Sequence, residues 1–416
     1  MSEEKPKQRF YYGYIIVIAT TLIWTAGWGT FGTFGVFYRP IIEEFGWSRA
    51  DAVLGFSLAV VVQGIGAVVA GWLCDRIGPK IVALVIGSFL GLSYLILSQV
   101  NYLWQFNIAY ALILAIGISA ITAPSMSTIA RWFVKKRGLM TGIAQTGAGG
   151  GLILCPITAW LIVSYGWRNA YIVLGILTLA LNFIAGSFLR RDPKDIGLSP
   201  DGDDGVAIKE DEGRQLNFKA MCLSLRDASK DANFWIIAGI YCAFGFLRST
   251  YTSHIAAHVQ DLGFSLVQGA SVLASLQGAS IAGRVAMGRV IDIIGSRKAT
   301  IISYLVIGII MAWALITTDL WGLYLFAIVF GFLWGAQAVL RFSVTSEAYS
   351  LSSLGALMGV LLLGESLAAF LGTYFSGYIF DFFGNYDLTF GLGIAIAVIA
   401  VILSFRLKPA ANKMVS

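Results

Sequence analysis

Gly71-Trp72-Leu73-Cys74-Asp75-Arg76-Ile77-Gly78-Pro79-Lys80 joins two apolar stretches, and its pattern returns as Gly288-Arg289-Val290-Ile291-Asp292-Ile293-Ile294-Gly295-Ser296-Arg297-Lys298. Gly71, Asp75 and Gly78 reach Gly288, Asp292 and Gly295 by one offset of 217 residues. The same offset carries Gly46 and Ser48 to Gly263 and Ser265, and Gly138, Gly142 and Gly147 to Gly355, Gly359 and Gly364. One spacing that serves eight residues in three separate segments marks a duplicated unit. Within the repeated stretch, glycine allows two helices to approach closely. Asp75 and Asp292 can pair with basic groups or cap a helix, so Gly71, Asp75, Arg76, Gly78 and Lys80, with Gly288, Asp292, Gly295 and Arg297, are expected to form a latch that breaks when the halves rock.

The repeat sits in an apolar chain. Its 416 residues are 57% hydrophobic and 12% charged, with a mean hydropathy of +0.77. A soluble domain carries about 25% charged residues, so this surface needs lipid as solvent. A hydrocarbon core of ~30 Å takes about 20 helical residues, and twelve stretches reach that length. They are 11–38, 52–74, 80–99, 103–128, 138–163, 169–189, 233–258, 267–290, 298–317, 320–343, 353–380 and 387–406. The expected fold is an all-α membrane protein of twelve transmembrane helices in two pseudo-symmetric six-helix bundles. These occupy 1–198 and 233–416, joined by a linker over 199–232 whose LNFKAMCLSLRD alternation predicts a helix lying on the membrane surface.

Charge orients the chain. With the N-terminus inside, 24 of the 29 Lys and Arg residues fall in inside segments, and only Arg39, Arg49 and Arg168 fall in outside loops. The positive-inside rule then places both termini in the cytoplasm. The net charge of +6 follows from that topology, and no nucleic-acid partner is expected. Cys74, Cys155, Cys222 and Cys242 lack metal-like spacing and read as small core residues.

G-x-x-x-D-[RK]-x-G-x-[RK] is the signature of the major facilitator superfamily, which this chain resembles from end to end. That resemblance implies parallel six-helix repeats around a site near the bilayer midplane. Arg131-Trp132-Phe133-Val134-Lys135-Lys136-Arg137-Gly138, running on through Gly142, Gln145, Gly147 and Gly151, resembles the second signature of the monocarboxylate transporter family. Gly35-Val36-Phe37-Tyr38-Arg39-Pro40 suits the same family and its oxalate:formate antiport relatives, and Gly359, Glu365 and Gly372 in the eleventh span repeat the family's spacing. Over the whole chain the match resembles the family's bacterial proton-coupled lactate members. Three features depart from it. Phe10-Tyr11-Tyr12-Gly13-Tyr14 replaces an acidic opening, Gly32 stands about where the family has a lysine, and Ser280 stands where it has an aspartate. The family's lysine–aspartate proton relay therefore has no counterpart at these positions.

An ionisable group at membrane depth costs at least ~2.5–3.5 kcal/mol on insertion scales, so each is a functional candidate. Arg284 in span 8 matches the family's substrate arginine, and a guanidinium holds a carboxylate by two parallel hydrogen bonds. Gln277 and Ser280 share its helical face. Gln145, Trp28 and Trp334 are further candidates for the site, the tryptophans by their places in the family pattern. Arg248 and Glu365, both near mid-span, are expected to form a buried pair or, alternatively, to leave Glu365 as the proton carrier. His254 and His258 lie four residues apart near the outer end of span 7; His254 is a third candidate for the proton path.

The implied function is uptake of a small monocarboxylate such as L-lactate with a proton, by alternating access across a bacterial inner membrane. Carboxylate exchange of the oxalate:formate type is the alternative, since Arg248 could supply the second cation a dicarboxylate needs. No hydrolase triad, metalloprotease motif or cofactor motif occurs, so no enzyme activity, cofactor, metal or obligatory protein partner is expected.

Overall fold

The computed structural model describes residues 11–134, 136–202, 229–349 and 351–407. The surface helix expected within the linker and the side chain of Asp75 lie outside the described residues. Ten described stretches are long and apolar enough to cross a membrane. One of them, Gly138–Phe188, has 51 residues, or about 76 Å of helix at 1.5 Å per residue, and makes two crossings. Its chain turns at Gly166, where φ is 82°. Leu266–Ile294 is the twelfth helix, its apolar character diluted by Arg284, Arg289 and Asp292.

In chain order the helices are α1 (Gly13–Phe45), α2 (Arg49–Ile77), α3 (Pro79–Leu97), α4 (Leu103–Trp132), α5 (138–165) and α6 (167–188). The second half holds α7 (Ala232–Asp261), α8 (Leu266–Ile294), α9 (Ser296–Ile316), α10 (Leu320–Ala348), α11 (Leu351–Phe383) and α12 (Asp387–Arg406). An even number of crossings puts both chain ends on one side, here the termini end; the opposite side is the far end. Outward side chains such as Ile309, Ile316 and Val163 are 69%, 76% and 66% exposed, an apolar surface suited to lipid.

The repeat owes its spacing to backbone chemistry. Gly78 and Gly295 both adopt φ near +80° and turn the chain from one helix into the next, a conformation that a Cβ would strain. At the far end, Gly46 and Gly263 also have positive φ, and the Ser48 and Ser265 hydroxyls accept from the amides of Asp51 and Gln268 to cap α2 and α8. The repeated residues are thus stops and starts. Close approach at the signature, by contrast, is not seen at Gly288, where an added Cβ would meet nothing within 4 Å.

Close approach occurs elsewhere. On α10, Gly331 and Gly335 form a G-x-x-x-G pair whose Cβ positions would fall 2.1 and 2.0 Å from the Leu276 and Ser280 carbonyl oxygens of α8. Gly283 of α8 meets the Phe332 carbonyl oxygen at 1.9 Å in the same sense. Backbone therefore touches backbone along α8 and α10, which fixes Arg284 beside Gly283.

The halves meet through α1 against α7, α2 against α11, and α5 against α8. Among the described residues, hydrogen bonds and ion pairs between halves run from Arg39 and Arg49 at the far end to Arg284 and stop there. Toward the termini, Gly138 and Gly142 of α5 and Gly359 of α11 face open space. The bundle is closed at the far end and parts toward the termini.

Candidate functional site

The midplane of α1 is irregular: a π-helical turn over Thr25–Gly29 is followed by a break at Gly32 and Thr33. Gln277 of α8 fills the space this leaves. Its Nε2 donates to the Gly32 carbonyl at 3.2 Å and contacts Cys155 Sγ at 3.4 Å, so one side chain stitches α8 to α1 and α5. A Cβ at Gly32 would lie 2.6 Å from Gln277 Oε1. A side chain at 32 and Gln277 compete for one volume, which accounts for glycine at this place. The Ser280 hydroxyl donates to the Gln277 carbonyl at 2.7 Å and is fully buried on the α10 side. It belongs to helix packing rather than to an open pocket.

Arg284 lies two turns from Gln277 toward the termini. Its Nη1 donates to the Gln145 carbonyl at 3.1 Å, its Nε has no partner, and its guanidinium lies 5.8 Å from the Trp334 ring. No carboxylate lies within 4.0 Å of it among the described residues. Gln145 contributes through this backbone oxygen, exposed where α5 tightens into a 3-10 turn at Thr146–Gly150; its side chain only approaches Met126 Sδ at 3.7 Å. Trp28 and Trp334 are both half-buried, and both indole N–H groups lack a partner.

The expected Arg248–Glu365 pair does not form: the carboxylate of Glu365 binds Arg341 Nη1 on α10 instead. Arg341 is only 9% exposed and lies 4.0 Å over the Phe244 ring. Arg248 is left with an unpartnered Nε. Arg248 and Arg341 are close enough to Arg284 to repel it, and among the described residues Glu365 is the carboxylate that acts on Arg248 and pairs with Arg341. The outcome follows from helix length. Span 10 was expected to end at 343, which put Arg341 at the membrane edge, but α10 continues to Ala348 and carries Arg341 more than a turn inside.

The remaining candidates lie elsewhere. His254 is buried at the far end, with Nδ1 3.0 Å from the Tyr386 hydroxyl and Nε2 2.9 Å from the Thr373 carbonyl. In the signature, Arg76 stacks 4.1 Å over Trp72, and Asp292 is exposed with no ion pair among the described residues. Arg297 donates from Nε to the Ser404 carbonyl at 3.3 Å and also binds the Phe405 carbonyl, which ties α9 to the last turn of α12 within its own half. Arg76 and Lys80 flank a cleft of about 310 Å³ that also reaches Arg190, Arg191 and Asp195.

The core is therefore rich in donors. Each unsatisfied buried donor costs about 1–3 kcal/mol, and an ionised carboxylate offers two oxygens with acceptor sites only. Arg284 lies near the Trp334 ring and near the second guanidinium of Arg248, so donors without acceptors gather here, and the indole N–H of Trp28 in α1 is likewise unpartnered.

The comparisons with known proteins agree on the scaffold. Monocarboxylate transporter 13 of Rattus norvegicus is 25% identical over 395 residues, covering 91% of this chain and 85% of its own length. Monocarboxylate transporter 4 of Gallus gallus is 25% identical over 381 residues, with 89% and 77% covered. A bacterial homologue of the human lysosomal transporter Spinster, solved in an inward-facing and unoccupied conformation, superposes with a TM-score of 0.73 at 17% identity, covering 96% of each chain. The family model of the Major Facilitator Superfamily matches residues 16–350 and 279–415. These transporters are not enzymes, and with its fold, its apolar helices and this match the chain belongs to the Major Facilitator Superfamily.

Proposed function

We propose that this protein carries a small monocarboxylate such as L-lactate together with a proton across the cell membrane by alternating access. The observation that carries the reading is Arg284: a guanidinium at the interface of the halves, bound to one carbonyl and, among the described residues, to no carboxylate. The relatives named as monocarboxylate transporters support the substrate class. Arg284 holds the carboxylate, Trp334 and Trp28 wall the site and offer indole N–H groups, and Gln277 closes it toward the far end. With both termini in the cytoplasm, as the Lys and Arg distribution favours, the site opens inward in this conformation. Arg76, Lys80 and their counterparts would then engage at the termini end when the carrier opens outward.

Uptake of labelled lactate, pyruvate and oxalate into proteoliposomes, with and without an imposed pH gradient, tests the reading. Lactate accumulation driven by the gradient alone is the expected result. Carboxylate exchange is the second reading, favoured by Arg248, a guanidinium with an unpartnered Nε that would give a dicarboxylate its second cation. Oxalate uptake that needs an internal counter-substrate and ignores the gradient would replace the first reading with the second.

A further inference from the structure

We propose that a latch built on Arg49 holds the far end shut, and that His254 makes this latch sensitive to protons. The proposal rests on the reading of the chain as an alternating-access carrier and adds how its outer gate answers to pH. Arg49 opens α2 in the first half, and the second half grips it from α7, α11 and Tyr386 just before α12. Its Nη2 donates to Asp261 Oδ1 at 2.7 Å, its Nη1 donates to the Tyr386 hydroxyl at 2.6 Å, and its guanidinium lies 3.4 Å over the Phe380 ring. The backbone N–H groups of Arg49 and Ala50 donate to the two oxygens of Asp381, each at 2.8 Å. Asp381 thus caps α2 from the opposite half, where the helix dipole favours an anion. Arg49 and Tyr386 are buried, at 7% and 2% exposure, while the carboxylates Asp261 and Asp381 reach the exposed rim of the grip.

The hydrogen bonds around His254 have only one consistent direction. The Thr373 carbonyl can only accept, so Nε2 carries a hydrogen. In the neutral ring Nδ1 then accepts from the Tyr386 hydroxyl, which turns the phenol oxygen's lone pairs toward Arg49. A proton on Nδ1 would convert this acceptor into a donor. Tyr386 would lose the group that orients it, and two cations would share one oxygen. The other groups around the ring do not replace Tyr386. Tyr38 of α1 presents its ring edge at 5.4 Å and gives its hydroxyl to the Arg49 carbonyl. Asp261 is shared between Arg49 and Arg39, and Asp381 is occupied by the two amides. His258, a turn further along α7, and Asp387 of α12 lie beyond Tyr386.

Proton binding therefore competes with the Tyr386 hydroxyl for the Nδ1 lone pair, and through Tyr386 it works against the Arg49 latch. By linkage, a proton on His254 favours opening, and closing expels it. A cavity of about 10 Å³ lined by His254, His258, Tyr386 and Thr389 adjoins the ring, with His258 Nε2 and Thr389 Oγ1 unpartnered. That is near the lower limit for one water molecule. An acidic exterior would thus favour the outward-open carrier, ready to load.

Spin labels at Asn101→Cys and Asn385→Cys, exposed far-end loop positions in opposite halves, read the latch in the full chain after the four native cysteines are replaced. In the wild-type background, lowering the pH from about 8 to about 5 should raise the ratio of long to short distances by up to about tenfold per pH unit, the limit for one coupled proton. His254→Gln should flatten that response. Arg49→Ala should give the long distance at every pH, and Arg49→Lys an intermediate distribution. An unchanged pH response in His254→Gln, or a short distance retained in monodisperse Arg49→Ala, overturns the proposal. The distances need no substrate. Lost carboxylate uptake with an intact pH response sinks only the transport reading, and intact uptake with pH-independent distances sinks only the latch.

Discussion

Arg284 was legible in the sequence because a charge in the middle of an apolar span stands out, whatever the fold. Its chemistry is more specific than its charge. A lysine would keep the cation but lose the planar fork, so Arg284→Lys should forfeit at least one charge-assisted hydrogen bond, ~1.5–3 kcal/mol, and weaken lactate binding by about tenfold to a hundredfold. Proteoliposome uptake at varied lactate concentration measures this, and normal transport by the lysine variant would remove Arg284 from the site. Glu365 was equally visible, but its partner was not. Because it binds Arg341, Glu365→Gln leaves a buried cation unpaired and should destabilise the protein by about 3–5 kcal/mol. Pairing Glu365→Leu with Arg341→Met should recover most of that loss in a thermal melt. If the double variant also keeps gradient-driven uptake, Glu365 has a structural role and carries no proton.

At the scale of helices, glycines that look alike in the sequence do different work. Gly335 lies against the Ser280 carbonyl, so Gly335→Val should force α10 away from α8, lower the melting temperature by several degrees and impair binding at the neighbouring Arg284. Gly142 faces open space, and Gly142→Ala should keep or raise stability, since alanine is favoured over glycine in a helix by about 1 kcal/mol. Equal effects of the two changes would refute this assignment. Gly32 poses a sharper case. Gly32→Lys should be poorly tolerated alone and rescued by Gln277→Ala, because the two side chains claim the same space between α1 and α8. Rescue is measured as recovered expression and melting temperature. Sequence spacing could place these glycines on helices but could not say which of them face another helix, since that depends on helix rotation in the bundle.

For the whole molecule, orientation and conformation are separate questions. The Lys and Arg bias predicts that a cysteine at Asn101 reacts with an impermeant maleimide in intact cells, while one at Arg289 reacts only after permeabilisation. The opposite pattern would invert the transporter. Conformation depends on contacts between the halves. Arg49 was counted among the charges of an outer loop, yet it is buried in the closed end of the bundle. Its partners Asp261, Asp381 and Tyr386 lie between 212 and 337 residues away along the chain, and nothing local marks them.

The sequence by itself determined the membrane class, the twelve crossings and the duplication. Apolar length and the positive-φ glycines at helix ends are local properties, written at fixed intervals along the chain. Arg284 belongs with them, because its burial follows from the span that contains it. Only the tertiary structure decided which charge neutralises which, that Gln277 occupies the space beside Gly32, and that the far end is closed. Each of these is a contest between groups on different helices for one partner or one volume, and packing decides it: helices as far apart in the chain as α2 and α11 meet side by side, and the 217-residue repeat shapes both halves without specifying what passes between them.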